Sequence, residues 1–217
     1  MLNKNILKRL FILMIGLFFS ALGVAVTKQG KLGISPVSSV ANIMNLRFPS
    51  VSLGTWLILW NCSLIAGQIL ILRTNFNWLQ LAQLPLSFLF GTFTDLGVLL
   101  VSSLPNHTYL QQLILVLAGI LLCGLGVSFV IAANIIMNSG DAFVKAFSDT
   151  WHIKFGYVKT SFDIACVVLA AILSLCFFHF SIQEIREGTL LSALLTGVSV
   201  QFFSNLTKKP LSNWLSY

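Results

Sequence analysis

Charged side chains are what this sequence has least of: they make up 9% of its 217 residues, and only six are acidic, against 57% hydrophobic residues. So little polar surface cannot coat a water-soluble globule, which excludes a freestanding soluble domain. The signatures of catalytic and metal chemistry are missing too. The four cysteines, Cys62, Cys123, Cys166 and Cys176, all stand in apolar runs with no CxxC or alternating His/Cys pattern. They read as small buried hydrophobes rather than a disulfide frame or a metal site. The three histidines, His107, His152 and His179, stand singly at the ends of those runs. There is no HExxH, no serine with a basic partner at a strained turn, and no GxxxxGK[ST] loop. These absences argue against metalloprotease, hydrolase and nucleotide-driven chemistry in turn. The sequence predicts no enzyme, no metal and no cofactor, and any energy source has to be an ion gradient or a partner protein.

What is present is length in apolar runs. Mean hydropathy is +0.91, so the solvent the chain expects is lipid. A hydrocarbon core of about 30 Å takes roughly 20 apolar residues in helix, and spans are predicted at about 8–27, 51–72, 78–101, 109–134, 155–178 and 188–204. The predicted class is therefore all-α, a polytopic membrane protein with the bilayer as its first partner. The opening run follows Lys4, Lys8 and Arg9, as a secretory signal would, but it continues to Val26 with no small-x-small cleavage site; it is read as a span. The formal charge of +7 is read as loop charge rather than a nucleic-acid face. An inside N-terminus puts Lys4, Lys8, Arg9, Arg73, Lys145, Lys154, Lys159, Lys208 and Lys209 inside, against Lys28, Lys31, Arg47 and Arg186 outside. That bias predicts cytoplasmic termini. Trp56, Trp78, Tyr109, Trp151 and Tyr157 near span ends suit interfacial anchoring, with Trp60 deeper.

The chain also repeats itself. Gly16-Leu-Phe-Phe-Ser-Ala-Leu-Gly-Val-Ala25 lies over Gly119-Ile-Leu-Leu-Cys-Gly-Leu-Gly-Val-Ser128 at an offset of 103, with four of ten positions identical. A small-residue turn and a short segment follow in each copy, Ser35-Pro36-Val-Ser-Ser-Val and Ser139-Gly-Asp141-Ala-Phe-Val, and then Gly54 or Gly156 opens the next span. Further on Asn61 falls on Asp163 and, with a small insertion, Gly91 on Gly197. This divides the chain into repeats at 1–105 and 106–217. Three spans per repeat is an odd number, so the second must enter the membrane from the opposite side, an inverted repeat of the kind many secondary transporters use.

The short segments at about 36–46 and 140–151 are too short to span. Ser35 before Pro36 makes an N-cap and first-turn proline, and Ser139 or Asp141 could cap the second helix. Two such helix starts turned inward would attract an anion. The alternative is a pair of amphipathic helices lying flat on opposite membrane surfaces, which Lys145 and Arg47 would suit.

Asp95, in Gly91-Thr92-Phe-Thr-Asp95, and Asp163 are the acids inside spans, where a charge needs a partner, a cavity or a proton. Lys159 stands four residues before Asp163 and can pair with it. Asp95 has no evident local partner, which makes it the favoured proton-coupling candidate. Candidate solute or ion contacts are Asp95, Asp163, Asp141, Thr92, Asn61, Ser35 and Ser139. Gln68 and Asn134 are read as amides joining helices, and the small residues at spacing four from Gly16 to Ala25 and from Gly119 to Ser128 as close-packing seams.

Ala21-Leu-Gly-Val-Ala25, Gly33-Ile-Ser-Pro36 with its following Val37-Ser-Ser, Ser52-Leu-Gly54 and Gly91-Thr-Phe-Thr-Asp95 resemble motifs of the YczE/YyaS/YitT family over about residues 9–205. The resemblance implies a bacterial plasma-membrane protein and, for some relatives, small-molecule export. This chain has Asn138-Ser-Gly-Asp141 where that family leads one to expect a proline-containing turn. The predicted function is a secondary transporter of a small-molecule solute with its site between the repeats. The alternatives are a non-catalytic membrane subunit or accessory factor that works with a partner protein, and an intramembrane enzyme, disfavoured by the missing nucleophile and base. The partners expected besides lipid and solute are a second copy in a homo-oligomer or another membrane protein.

Overall fold

The computed structural model describes residues 4–179, 181 and 183–215, with side chains described within 5–207. Lys4, Lys208 and Lys209, used in the charge bias, therefore have side chains outside the described residues. Among these residues eight α-helices follow one another: α1 (Lys4–Gln29), α2 (Pro36–Arg47), α3 (Leu53–Leu72), α4 (Gln83–Val101), α5 (Tyr109–Ala133), α6 (Ser139–Trp151), α7 (Phe155–Phe177) and α8 (Glu187–Leu215). Two 3-10 turns, Arg73–Asn75 and Trp78–Ala82, join α3 to α4. Among the described residues there is no strand beyond an isolated bridge between Gly33 and Ile185. Among the described residues all helices but α2 and α6 are long and apolar enough to cross a membrane, six in all. The protein is an all-α multi-pass membrane protein.

The ends of the elements differ from the expected ones. α1 starts at Lys4 rather than about residue 8, residues 78–82 are 3-10 rather than α, and α8 runs to Leu215, well beyond 204. Hydropathy marks the length of helix that lipid can solvate, whereas the hydrogen-bonded ladder continues into polar sequence wherever propensity allows.

The centre of the bundle is the crossing of α1 and α5. A methyl added at Gly16 would stand 2.8 Å from the Gly126 carbonyl oxygen, and one added at Gly23 would stand 2.7 Å from that of Gly119. Under the offset of 103, Gly16 becomes Gly119 and Gly23 becomes Gly126, so the two contacts are images of each other. Between them Ser20 meets its own image, the Cys123 thiol lying 3.5 Å from the Ser20 carbonyl oxygen. Only an antiparallel crossing about a twofold axis does this. The small-residue seams thus pack as expected, and glycine lets the backbones meet. The same exchange governs the other elements: α4 packs on α1 as α8 does on α5, and α2 packs on α7 as α6 does on α3.

Two faces of the bundle follow from the contacts. On the N-face, where α1 begins, Arg9 donates to the Ala133 carbonyl at the end of α5 (3.0 Å). On the distal face Gln29 donates to the Leu104 carbonyl (2.9 Å) and Asn106 to that of Gln29 (2.9 Å). α2 ends at the distal face, where Asn45 accepts a hydrogen bond from Lys28 and Phe48 stacks edge-on to Phe177 at 6.1 Å. α6 ends at the N-face, a short turn before α7. Their N-termini point the other way, into the bundle, and meet: a methyl on Gly140 would be 3.5 Å from Val37 Cγ1. This overturns the flat-lying alternative, since helices on opposite surfaces would be separated by a hydrocarbon core of about 30 Å. α2 and α6 are re-entrant, and most of their first turns is buried.

Candidate functional site

The starts of α2 and α6 meet in the interior, between the α2–α7 and α3–α6 contacts that also join the halves. Ser35 is the N-cap of α2 and Pro36 its first residue, as expected, yet the Ser35 hydroxyl donates to Ser38 Oγ (3.0 Å) and caps no backbone N–H. In α6 the N-cap is Asn138, not Ser139 or Asp141, and its side chain makes no cap hydrogen bond either. A helix start without a side-chain cap leaves first-turn N–H groups to other partners.

Ser139 is instead tied sideways. The amides of Gln68 and Gln83 bond each other reciprocally at 3.2 and 3.1 Å, Gln68 also donates to the Ser139 carbonyl at 3.2 Å, and the Ser87 and Ser139 hydroxyls lie 3.3 Å apart. All four residues are buried. Gln68 therefore joins helices as expected, and this polar knot holds α6 to α3 and α4. Gln83 and Ser87 gave no signal in the sequence because their partners lie in other helices. Asn134 has another role: it ends α5 with φ +48°, a left-handed C-cap that asparagine tolerates better than most residues.

Asp163, Lys159 and Asp141 form the charged part of the site. The Lys159 ammonium lies 3.1 Å from Asp163, the expected pair one turn apart, and 3.4 Å from Asp141 across on α6. Asp141 sits in the first turn of α6, where the helix dipole favours an acid. Two carboxylates face one ammonium, leaving a formal excess of one negative charge inside a predicted span. Asn61, the image of Asp163 on α3, is 7% exposed. It lies two turns from Gln68 on the same face of α3. Ser139 and Asp141 stand in the first turn of α6, with Asp163 joined to Asp141 through Lys159, and Asn61 lies on the face of α3 that carries Gln68.

A family model matches residues 7–205, nearly the whole chain. The chain belongs to DUF6198, a family of unknown function. No curated protein and no solved structure matches. The DUF6198 match spans both repeats and every candidate residue; it does not bear the YczE/YyaS/YitT name that the motifs resemble. Among the described residues no group of three or more His, Cys, Asp or Glu is placed to hold a metal ion.

Two candidates lie elsewhere. The Thr92 hydroxyl bonds the Leu89 carbonyl of its own helix at 2.9 Å, and its side chain is exposed on the outside of α4, away from the site. Asp95 does have partners: its carboxylate accepts from the Ser52 hydroxyl (2.6 Å) and from the Gly54 N–H (2.7 Å). Ser52 is the N-cap of α3, so Asp95 closes that helix start from a neighbouring helix. The sequence hid this because 41 and 43 residues separate the partners. A methyl on Gly91 would stand 2.6 Å from the Gly54 carbonyl oxygen, so α3 and α4 touch backbone to backbone beside this cap. Their images on α7 and α8, Gly156 and Gly197, have nothing within 4 Å.

Proposed function

We propose that this DUF6198 protein is a secondary transporter of a small organic solute, with the solute site at the inner ends of α2 and α6. The observation that carries the reading is the contact of Val37 with Gly140: two re-entrant helices from oppositely oriented repeats bring their N-termini together inside six spans. Such discontinuous helices place partial positive charge and free N–H groups within the membrane, where they serve an anionic group of a solute. The Asn61 amide adds a neutral polar contact. The Asp141–Lys159–Asp163 cluster supplies the coupling group, because its uncompensated carboxylate holds a proton or a cationic part of the solute more favourably than a bare charge in a span. The N-face is cytoplasmic on the Lys/Arg bias, and the membrane is the bacterial plasma membrane that the family resemblance implies.

The test is reconstitution of the purified chain in liposomes and screening of small organic solutes under an imposed pH gradient. Gradient-dependent movement of at least one solute is expected, lost in Asp163→Asn and retained in Thr92→Val. A folded, reconstituted protein that moves none would overturn the reading in favour of a subunit that needs a membrane partner.

A further inference from the structure

The two repeats are related in sequence and inverted in the bundle, yet one contact breaks their equivalence. In the first repeat α3 and α4 pack closely, Gly54 against Gly91, with the Asp95 carboxylate fastening the start of α3. In the second, α7 and α8 pack against α2, α6 and α5 but make no comparable contact with each other. The glycines at the matching positions are both there, and both are uncovered. A glycine pair is what lets α3 and α4 approach to backbone contact, and α7 and α8 carry the same pair.

We infer that α7 and α8 close on each other in a second conformation of this chain, Gly156 against the Gly197 turn of α8, while α3 and α4 separate around Gly54 and Gly91. The internal symmetry identifies what covers the bare glycines, because the closed partner of each is visible in the other repeat. It also identifies the latch. The image of Asp95 is Gln201 and the image of Ser52 is Lys154, so in the closed α7–α8 pair the Gln201 amide oxygen would accept from the Gly156 N–H as Asp95 does from Gly54.

The hinge is built for this motion. At the distal face the ends of α7 and α8 are each fastened: the Ser174 hydroxyl of α7 donates to the Ser181 carbonyl (3.0 Å) and accepts from the Gln183 N–H (2.8 Å) of the connecting loop, and the Gly188 N–H at the start of α8 bonds the Leu32 carbonyl (2.9 Å). At the N-face nothing joins them among the described residues. The Asp141–Lys159–Asp163 cluster has side chains about a fifth to a third exposed, Lys159 and Asp163 lie within about two turns of the start of α7, and the N-face is its entry in this conformation. Closure of α8 over α7 would shut this entry as separation of α3 from α4 opens one at the distal face. The present conformation is favoured because its latch is a carboxylate bonded to two donors, whereas Gln201 is neutral, and charge-assisted hydrogen bonds are the stronger.

The inference deepens the transport reading and rests on it for its purpose, though not for its test. In a chain with Cys62, Cys123, Cys166 and Cys176 replaced by alanine, Gly156→Cys and Gly197→Cys are introduced together and oxidised in liposomes. An intramolecular disulfide is expected to form slowly, and its rate to rise on the order of tenfold when Asp95→Ala removes the distal latch, since losing bonds to a charged group shifts a two-state equilibrium by at least that much. Thr92→Ala should leave the rate unchanged. If Asp95→Ala does not fold, Ser52→Ala, which removes one of the two bonds, should give a smaller increase. No intramolecular disulfide in any background overturns the inference. A disulfide only between chains overturns it too, and marks the bare glycines as a contact between copies. Solute movement without the disulfide would sink the exchange and leave the transport reading standing; the disulfide without solute movement would do the reverse.

Discussion

The pairs α3–α4 and α7–α8 come in the same order within their repeats and carry glycines at the same two aligned positions, yet one is in backbone contact and the other is open. The difference shows that small residues permit close approach without causing it. At α3–α4 a carboxylate reaches across to accept from the Gly54 N–H and the Ser52 hydroxyl at a helix start, and glycine allows the backbones to meet beside it. At α7–α8 the corresponding positions hold Gln201 and Lys154, and Lys159 spends its charge on Asp141 and Asp163 of α6 and α7 rather than on α8.

The comparison breaks most visibly at the glycines. Gly91→Val drives a branched side chain into the Gly54 carbonyl and the Ile58 side chain, both within 2.7 Å of an added methyl, and is expected to lower unfolding stability in detergent by about 3 kcal/mol. Gly197→Ala, into open space, should change it by less than about 0.5 kcal/mol. Equal losses at the two sites would show that the open pair is closed in solution.

Asp95→Ala comes next. It leaves the Gly54 N–H without its acceptor and is expected to cost about 2 kcal/mol in the same assay, whereas Gln201→Ala should cost almost nothing. A Gln201→Ala loss matching that of Asp95→Ala would mean the second latch is already engaged.

Lys159→Met tests the charged cluster that the open pair exposes. It leaves two carboxylates without their counter-charge, and with side chains part-exposed the expected loss is about 1 kcal/mol. Adding Asp141→Asn should recover part of that loss, a coupling that a double-mutant cycle measures directly. Independent effects of the two substitutions would mean that Asp141 and Lys159 do not interact in solution. The smallest effect belongs to Thr92→Val, on the lipid-facing side of α4, within about 0.5 kcal/mol.

Local signals were readable wherever both partners of a contact lie within one helix or one repeat of the pattern. The Lys159–Asp163 pair follows from a spacing of four, and the α1–α5 seam from small residues at helical spacing in two aligned segments. Asp141 joining that pair, Asp95 capping α3, and Gln68 meeting Gln83 and Ser139 were not readable, because each contact crosses between helices brought together only by the packing of others. The re-entrant course of α2 and α6 was open for a related reason. A short helix with a proline start and one charged end satisfies its local preferences equally well flat on the surface or turned inward. Only the contact of Val37 with Gly140 separates the two.

By itself the sequence determined that lipid is the solvent, that six segments cross it, and that the halves are inverted. Those properties come from transfer free energies summed over each segment and from the parity of a count, and neither depends on where a helix finally sits. Tertiary structure alone decided which helix pair is closed, where Asp95 spends its charge, and that two short helices meet inside the bundle. Each depends on two surfaces distant in sequence approaching within a few ångströms, and the competing arrangements keep the same spans and the same backbone hydrogen bonds. What separates them is a handful of contacts worth a few kcal/mol, a margin that no single segment encodes.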